Sequence, residues 1–147
     1  MNATSPSKTF RGAVVYFALV FSTGFLLGSI RVPFIVPRIG ERYAELAEMP
    51  LMFIAIFFAS RYVLRRYGQK TPDAVGLIGM GVIALLLLVG SELLLAVLLA
   101  GREVIEYIAS RDTVSGSVYF AMLVLFAAMP WLQARKRNNA LPAASDA

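Results

Sequence analysis

The sequence predicts an all-α membrane protein, a bundle of four transmembrane helices with both termini in the cytoplasm. Hydrophobic residues make up 59% of the 147 residues, charged residues make up 16%, and the mean hydropathy is +0.71. A soluble chain carries about 25% charged residues, whereas here the apolar residues form long runs almost free of charge. We expect helices, because lipid cannot satisfy an exposed backbone and no alternating barrel pattern is present.

Four apolar runs are long enough, or nearly so, to cross a hydrocarbon core that needs about 20 helical residues. Residues 1–11 are a predicted cytoplasmic tail, and residues 135–147 are a predicted basic, mobile cytoplasmic tail. A cleaved signal peptide is the alternative for the first run, which is longer than a typical signal core and has no small-residue cleavage site after it. The transmembrane domain, residues 12–134, contains predicted spans at 12–32, 43–65, 72–101 and 113–134.

Prolines mark the ends and bends of the first two helices. Pro33 and Pro37 are expected to end or kink the first helix, because neither can donate a backbone hydrogen bond. The intervening segment is then an apolar turn at the outer interface. Pro50 frees the carbonyl of Leu46 and predicts a kink near the outer end of the second helix.

The third and fourth helices are bounded by polar residues. Thr71, Pro72 and Asp73 suit a helix start, since they supply a hydroxyl cap, a first-turn proline and a carboxylate near the positive end of the dipole. The third run is interrupted only by Glu92, and the fourth is free of charge. Packing between helices is expected at small residues, chiefly Gly24, Gly28, Ala55 and Ala59, and also at Gly76, Gly79 and Gly81.

The distribution of basic residues predicts the orientation. Nine of the 14 Lys and Arg residues lie beside the termini and the second loop, and the other five are diluted by acidic residues. This bias places both termini in the cytoplasm. Tyr43, Tyr107 and Tyr119 are then expected at the outer interface. Nucleic acid is not an expected partner, because the basic residues are split among separate clusters. Anionic lipids are expected at Arg61, Arg65, Arg66, Arg135, Lys136 and Arg137.

Charges at membrane depth are the candidate functional residues. Glu41, Glu45 and Glu48 project from one helix face within about 60°. Glu92 lies about 27 Å along the third helix, near the outer boundary. An isolated charge there costs at least a few kcal/mol, which favours a shared polar cluster. The predicted cluster is Arg31, Glu45, Glu48 and Glu92, and the secondary candidates are Glu41, Arg38, Arg102 and Glu106.

Three interpretations of these charges remain open. They are solvated or purely structural pairing, a structural cluster that also binds a ligand, and a proton or ion site. In the first, Glu41, Arg42 and Glu45 form an exposed helical turn. Arg102 and Glu106 are expected to pair as i,i+4 neighbours above the membrane. With no Cys and no His in the chain, thiolate, imidazole and ordinary zinc or haem chemistry is excluded, and neither a cofactor nor a metal is expected.

Three motifs occur within residues 24–52: GSIRV at 28–32, PRIGER at 37–42 and AELAEMP at 44–50. This stretch, a fifth of the chain, resembles a group of small bacterial four-helix inner-membrane proteins without an assigned activity. The resemblance implies a bacterial inner membrane and a four-span layout. It implies no substrate.

Three classes of function remain. The first expectation is an accessory protein of a membrane assembly, whose partner is a membrane protein or a second copy of this chain. The alternative is a small oligomeric transporter or channel whose Glu/Arg cluster binds a proton, cation or substrate, although no inverted repeat is evident. The third is an enzyme acting on lipid headgroups. Its carboxylates would act as acid, base or ligands of Mg²⁺ or Ca²⁺, an arrangement that the nearby Arg31 disfavours.

The predicted topology is tested by reporter fusions. Fusions after Lys70 and after Arg137 are expected to be active only as cytoplasmic reporters, and a fusion after Asp112 only as an external one. A C-terminal fusion that reports an external location would contradict the orientation.

Overall fold

The computed structural model describes residues 6–67, 74–100 and 112–139, and these are helical apart from Gly40 and Asp112. Four long helices are present, each long and apolar enough to cross a membrane. A π-helical turn (Arg31–Ile35) and the short helix α2 (Val36–Ile39) follow the first of them. The predicted all-α class with four such helices is confirmed. The long helices are α1 (Pro6–Ile30), α3 (Glu41–Tyr67), α4 (Ala74–Ala100) and α5 (Thr113–Asn139).

The long helices extend beyond the apolar runs that predicted them. Helix α1 begins at Pro6 rather than at residue 12, and α5 continues to Asn139 rather than ending at residue 134. Proline is tolerated in a first helical turn, where its missing N–H has no helical partner to lose. Helical hydrogen bonds do not need apolar side chains, so the helices continue where the sequence turns basic.

Pro33 does not end the first helical segment. It lies in the π-helical turn, in which the Val36 N–H donates to the Arg31 carbonyl five residues before it. The predicted apolar turn is therefore helical. The segment ends at Gly40, whose φ of 83° favours glycine. Beyond it the chain reverses, and the Gly40 carbonyl accepts a hydrogen bond from Ala44 N–H at 3.1 Å.

Helices α1 and α5 each pack against both α3 and α4, so the order around the bundle is α1, α3, α5, α4. Gly12 near the start of α1 lies beside Val63 near the end of α3 and Met80 near the start of α4. Chain direction therefore alternates along the sequence. We call this end of the bundle the basic end, because it carries Lys8, Arg11, Arg61, Arg65, Arg66, Arg135, Lys136 and Arg137. The opposite end is the cluster end.

A contact between Tyr16 and Phe126 joins the two diagonal helices α1 and α5. The rings stack with centroids 4.4 Å apart, and the Tyr16 hydroxyl donates to the Phe126 backbone carbonyl at 2.9 Å. Pro130 stands four residues after Phe126 and has no N–H, so this carbonyl lacks its helical donor. Both Tyr16 and Phe126 are fully buried in the core. The hydroxyl thus satisfies a carbonyl that helix α5 cannot satisfy itself.

The small residues predicted to pack between helices behave differently from one another. Ala59 is buried in the core, Ala55 is half-buried, and a Cβ on Gly24 would lie 3.4 Å from Met52 Cε. The close approach expected at Gly28 is not found, since a Cβ there would meet no atom of the described residues within 4 Å. A close approach is present at Gly81 of α4, which was also expected to pack, and a Cβ there would overlap the backbone carbonyl of Ala127.

Matched substitutions at two glycines test this packing. Gly81→Ala is expected to destabilise the protein by about 1–3 kcal/mol or more, because the added methyl group meets backbone that cannot move without shifting α5. Gly28→Ala is expected to be neutral or to stabilise by up to about 1 kcal/mol through helix propensity. Thermal unfolding in detergent measures both, and equal effects of the two substitutions would contradict the assignment.

Candidate functional site

A cavity of about 390 Å³ lies between the helices at the cluster end. All four long helices and the π-helical turn contribute to its wall. Most of the wall is apolar, with aromatic and methionine side chains that include Phe21, Met49, Met52 and Phe126. Its polar lining is Arg31, Glu45, Glu48, Glu92 and Tyr119.

Arg31 projects from the π-helical turn toward two glutamates of α3. Its Nη1 atom lies 3.6 Å from Glu45 Oε1 and 3.3 Å from Glu48 Oε2. The side chains are 23%, 10% and 13% exposed, in the order Arg31, Glu45, Glu48. The reversal at Gly40 produces this meeting, because it returns the first turns of α3 alongside the end of the preceding helical segment. The predicted contact of Arg31 with Glu45 or Glu48 is present, and both glutamates take part.

The Arg31 ion pairs leave hydrogen-bonding capacity unused. One guanidinium nitrogen is shared between two carboxylates, at distances longer than the roughly 2.7–2.9 Å of a charge-assisted hydrogen bond. Arg31 Nε and Glu48 Oε2 are buried, and neither has a hydrogen-bond partner within the described part of the chain. Buried polar atoms normally have such a partner, so these two atoms are exceptions within the cluster.

Glu92 reaches the same cavity from α4. The Tyr119 hydroxyl of α5 donates a hydrogen bond to Glu92 Oε2, and both side chains are half-buried. The depth argument from the sequence therefore placed Glu92 at the right height. Tyr119 was expected only as an interfacial aromatic, although the same argument would have put its hydroxyl level with Glu92.

The cavity holds more carboxyl groups than guanidinium groups. Among the described residues, Glu45, Glu48 and Glu92 face it together with one arginine, Arg31. Over residues 6–67, 74–100 and 112–139, no three acidic side chains are grouped so that they could hold a metal ion. The arrangement suits an organic cation, whose charge the carboxylates attract and whose apolar part the remaining wall contacts.

Two of the secondary candidates, Arg38 and Glu41, do not line this cavity. Both are exposed. Arg102 and Glu106, with their predicted pair, lie outside the described residues.

Arg42 and Asp112 form a polar contact between α3 and α5 that sequence reasoning missed. Arg42 Nε donates to Asp112 Oδ2 at 3.0 Å. The same carboxylate caps α5, since it accepts from the N–H groups of Val114 and Ser115 at 3.0 and 3.1 Å. The hydrogen bond from Arg42, followed by those from the cap, lowers the pKa of Asp112 to about 2. An aspartate directly before an apolar helical run is a typical N-cap, and that signal was available in the sequence.

Comparison of the chain with protein-family models, curated proteins and solved structures gives no match. The resemblance to small bacterial inner-membrane proteins therefore stays a prediction. Function has to be argued from the cavity and its charges.

Removal of the central cation tests the energetic role of the cluster. Arg31→Ala is expected to destabilise the protein by about 1–3 kcal/mol. This is less than the cost of breaking a fully buried ion pair, because the Arg31 side chain is partly exposed. Adding Glu48→Ala to this variant should recover part of the loss, since it removes a carboxylate left without its cation. Unfolding in mixed micelles measures both.

Arg38→Ala is the matched control, because it removes an exposed arginine from the neighbouring turn. It should change stability by no more than about 0.5 kcal/mol. Strictly additive losses from Arg31→Ala and Glu48→Ala would show that the ion pair does not stabilise the fold.

Proposed function

We propose that this chain is a multi-pass protein of the bacterial inner membrane, with both termini cytoplasmic, and that it binds a small organic cation in the cavity at its cluster end. One observation carries the binding proposal: three carboxyl groups and one guanidinium line a cavity whose other walls are apolar. The proposal is closest to the transporter alternative from the sequence. It does not require that a single chain form a pathway.

Exposed side chains support the membrane placement. Large apolar residues stand outward on every long helix, as expected of a surface in contact with acyl chains rather than water. They include Phe25, Leu26, Phe58, Leu86 and Phe120, each more than half exposed. The orientation rests on the basic residues of the basic end, which the positive-inside rule places in the cytoplasm.

The chemistry of the cavity favours a cation with an apolar body. With its glutamates ionised, the described part of the lining carries two more negative than positive charges, since three carboxylates face one guanidinium. Phe21, Phe126 and Tyr119 supply ring faces and edges that contact an apolar group or attract a cation. The volume lies within the range of small-molecule sites, about 300–1,000 Å³.

The size and lining of the cavity favour binding over a purely accessory role. A cluster that only fixes helix register needs its ion pairs and no space beside them. Protein interiors pack at a density of about 0.74, with few voids larger than a water molecule. A cavity of about 390 Å³ beside an Arg/Glu cluster therefore has the space that a small ligand needs.

A lipophilic cation and a matched anion test the proposal. Tetraphenylphosphonium is expected to bind the purified protein in detergent, measured by equilibrium dialysis, whereas tetraphenylborate, of the same shape and opposite charge, is expected not to bind. Glu92→Gln should weaken tetraphenylphosphonium binding by about tenfold or more, because it removes one negative charge from a site of low dielectric constant.

Glu41→Gln is the control, since it removes an exposed carboxylate that does not line the cavity. Equal binding of the two probes, or equal effects of Glu92→Gln and Glu41→Gln, would overturn the proposal. A stoichiometric protein partner in a native-lipid preparation, with no binding of the cation, would favour the accessory role instead.

A further inference from the structure

A second cavity, of about 380 Å³, lies between α3 and α5 at the basic end. Helix α3 contributes Arg61 and Arg65, which stand one helical turn apart on the same face, and α5 contributes Lys136 and Arg137. Apolar side chains, Phe57, Leu64 and Ala134, complete the wall together with Gln133. We call this cavity the basic groove.

The floor of the basic groove is held in place by a polar contact between its two helices. Gln133 Nε2 donates to the backbone carbonyl of Phe57 at 2.9 Å. Leu64 and Ala134 are buried beneath the groove and pack with Leu77 and Trp131. The spacing of the two basic pairs is therefore set by packing and not by the cationic side chains themselves.

Three of the four cations of the groove, Arg61, Arg65 and Lys136, have no matching carboxylate within the described residues. Basic residues in the last turns of α3 and α5 also complement the helix dipoles. A cation at any position around the last turn would complement the dipole equally well. The dipole therefore does not explain why cations of both helices meet in one groove.

Other basic residues at the same end do not line the groove, although the sequence grouped them with those that do. Arg66 is exposed and outside it, and Arg135 lies over the Trp131 ring, 5.4 Å from the ring centroid. The structure therefore separates six basic residues, predicted alike from the sequence, into four that share a groove and two that do not. This division allows a local site to be distinguished from general attraction.

We propose that the basic groove binds the phosphate of an anionic lipid headgroup in the leaflet at the basic end. The planar guanidinium group of an arginine binds two phosphate oxygens at once, and the lysine ammonium group adds a further positive charge. Phe57 stands at the edge of the groove toward the apolar part of the bundle and is 36% exposed, so it contacts the first carbons of an acyl chain. This apolar edge favours a lipid over free phosphate. The site is independent of what the cavity at the cluster end binds.

Lipid binding to the full chain in detergent, measured by native mass spectrometry with phosphatidylglycerol, tests the inference. Arg61→Gln with Arg65→Gln is expected to weaken binding of the first lipid about tenfold or more. Arg66→Gln with Arg135→Gln removes the same charge from the same end and should change it less than twofold. Equal losses in the two double variants would overturn the proposal, because they would show general electrostatic attraction.

Two further measurements make the outcome specific. Arg61→Lys with Arg65→Lys keeps the charge but removes the guanidinium groups that bind two oxygens at once. Its affinity for the lipid should therefore fall between those of the wild type and the Gln variant. Its thermal unfolding shows that the fold is retained.

Inorganic phosphate that binds as tightly as the lipid would identify a free-anion site and refute the lipid assignment. Tetraphenylphosphonium binding should be unchanged in every one of these variants, so failure here is separable from failure at the cavity.

Discussion

The hydrogen bond from Tyr16 to the Phe126 carbonyl is the contact on which the arrangement of the bundle depends. Pro130 leaves that carbonyl without a helical donor, and a buried acceptor without a partner costs about 1–3 kcal/mol. The Tyr16 hydroxyl of α1 supplies the donor from across the bundle. Tyr16 thus links the two diagonal helices in the middle of the core. Toward the cluster end, polar contacts join neighbouring helices, and a cavity lies between them.

Prolines lie beside both the core contact and the candidate site. At Pro130 a hydroxyl from another helix supplies the donor. At Pro33 the backbone widens into a π-helical turn, which extends the first helical segment as far as Gly40. Arg31 belongs to that turn. Without the turn and the reversal at Gly40, its guanidinium would not lie between Glu45 and Glu48.

The sequence predicted the features that depend on depth in the membrane and on the helical period. It did not predict the features that depend on which helices are neighbours in the bundle. Hydropathy located the four helices, and counting residues placed Arg31, Glu45 and Glu92 at one level. The sequence does not state which helices are adjacent, so the role of Tyr16 was missed and Gly28 was assigned a contact that it lacks, whereas the close approach expected at Gly81 is present. Pro130 offered a usable signal, since a proline within an apolar run implies a free carbonyl that needs a donor.

A double-mutant cycle of Tyr16→Phe and Pro130→Ala tests this account most directly, with the free energy of unfolding measured in mixed micelles. Tyr16→Phe should cost about 1–3 kcal/mol in the native background, where the Phe126 carbonyl loses its donor. With Pro130→Ala, the backbone N–H of residue 130 supplies that donor, and the same substitution should cost less than half as much. An equal loss in both backgrounds would contradict the claim that Tyr16 satisfies the carbonyl freed by Pro130.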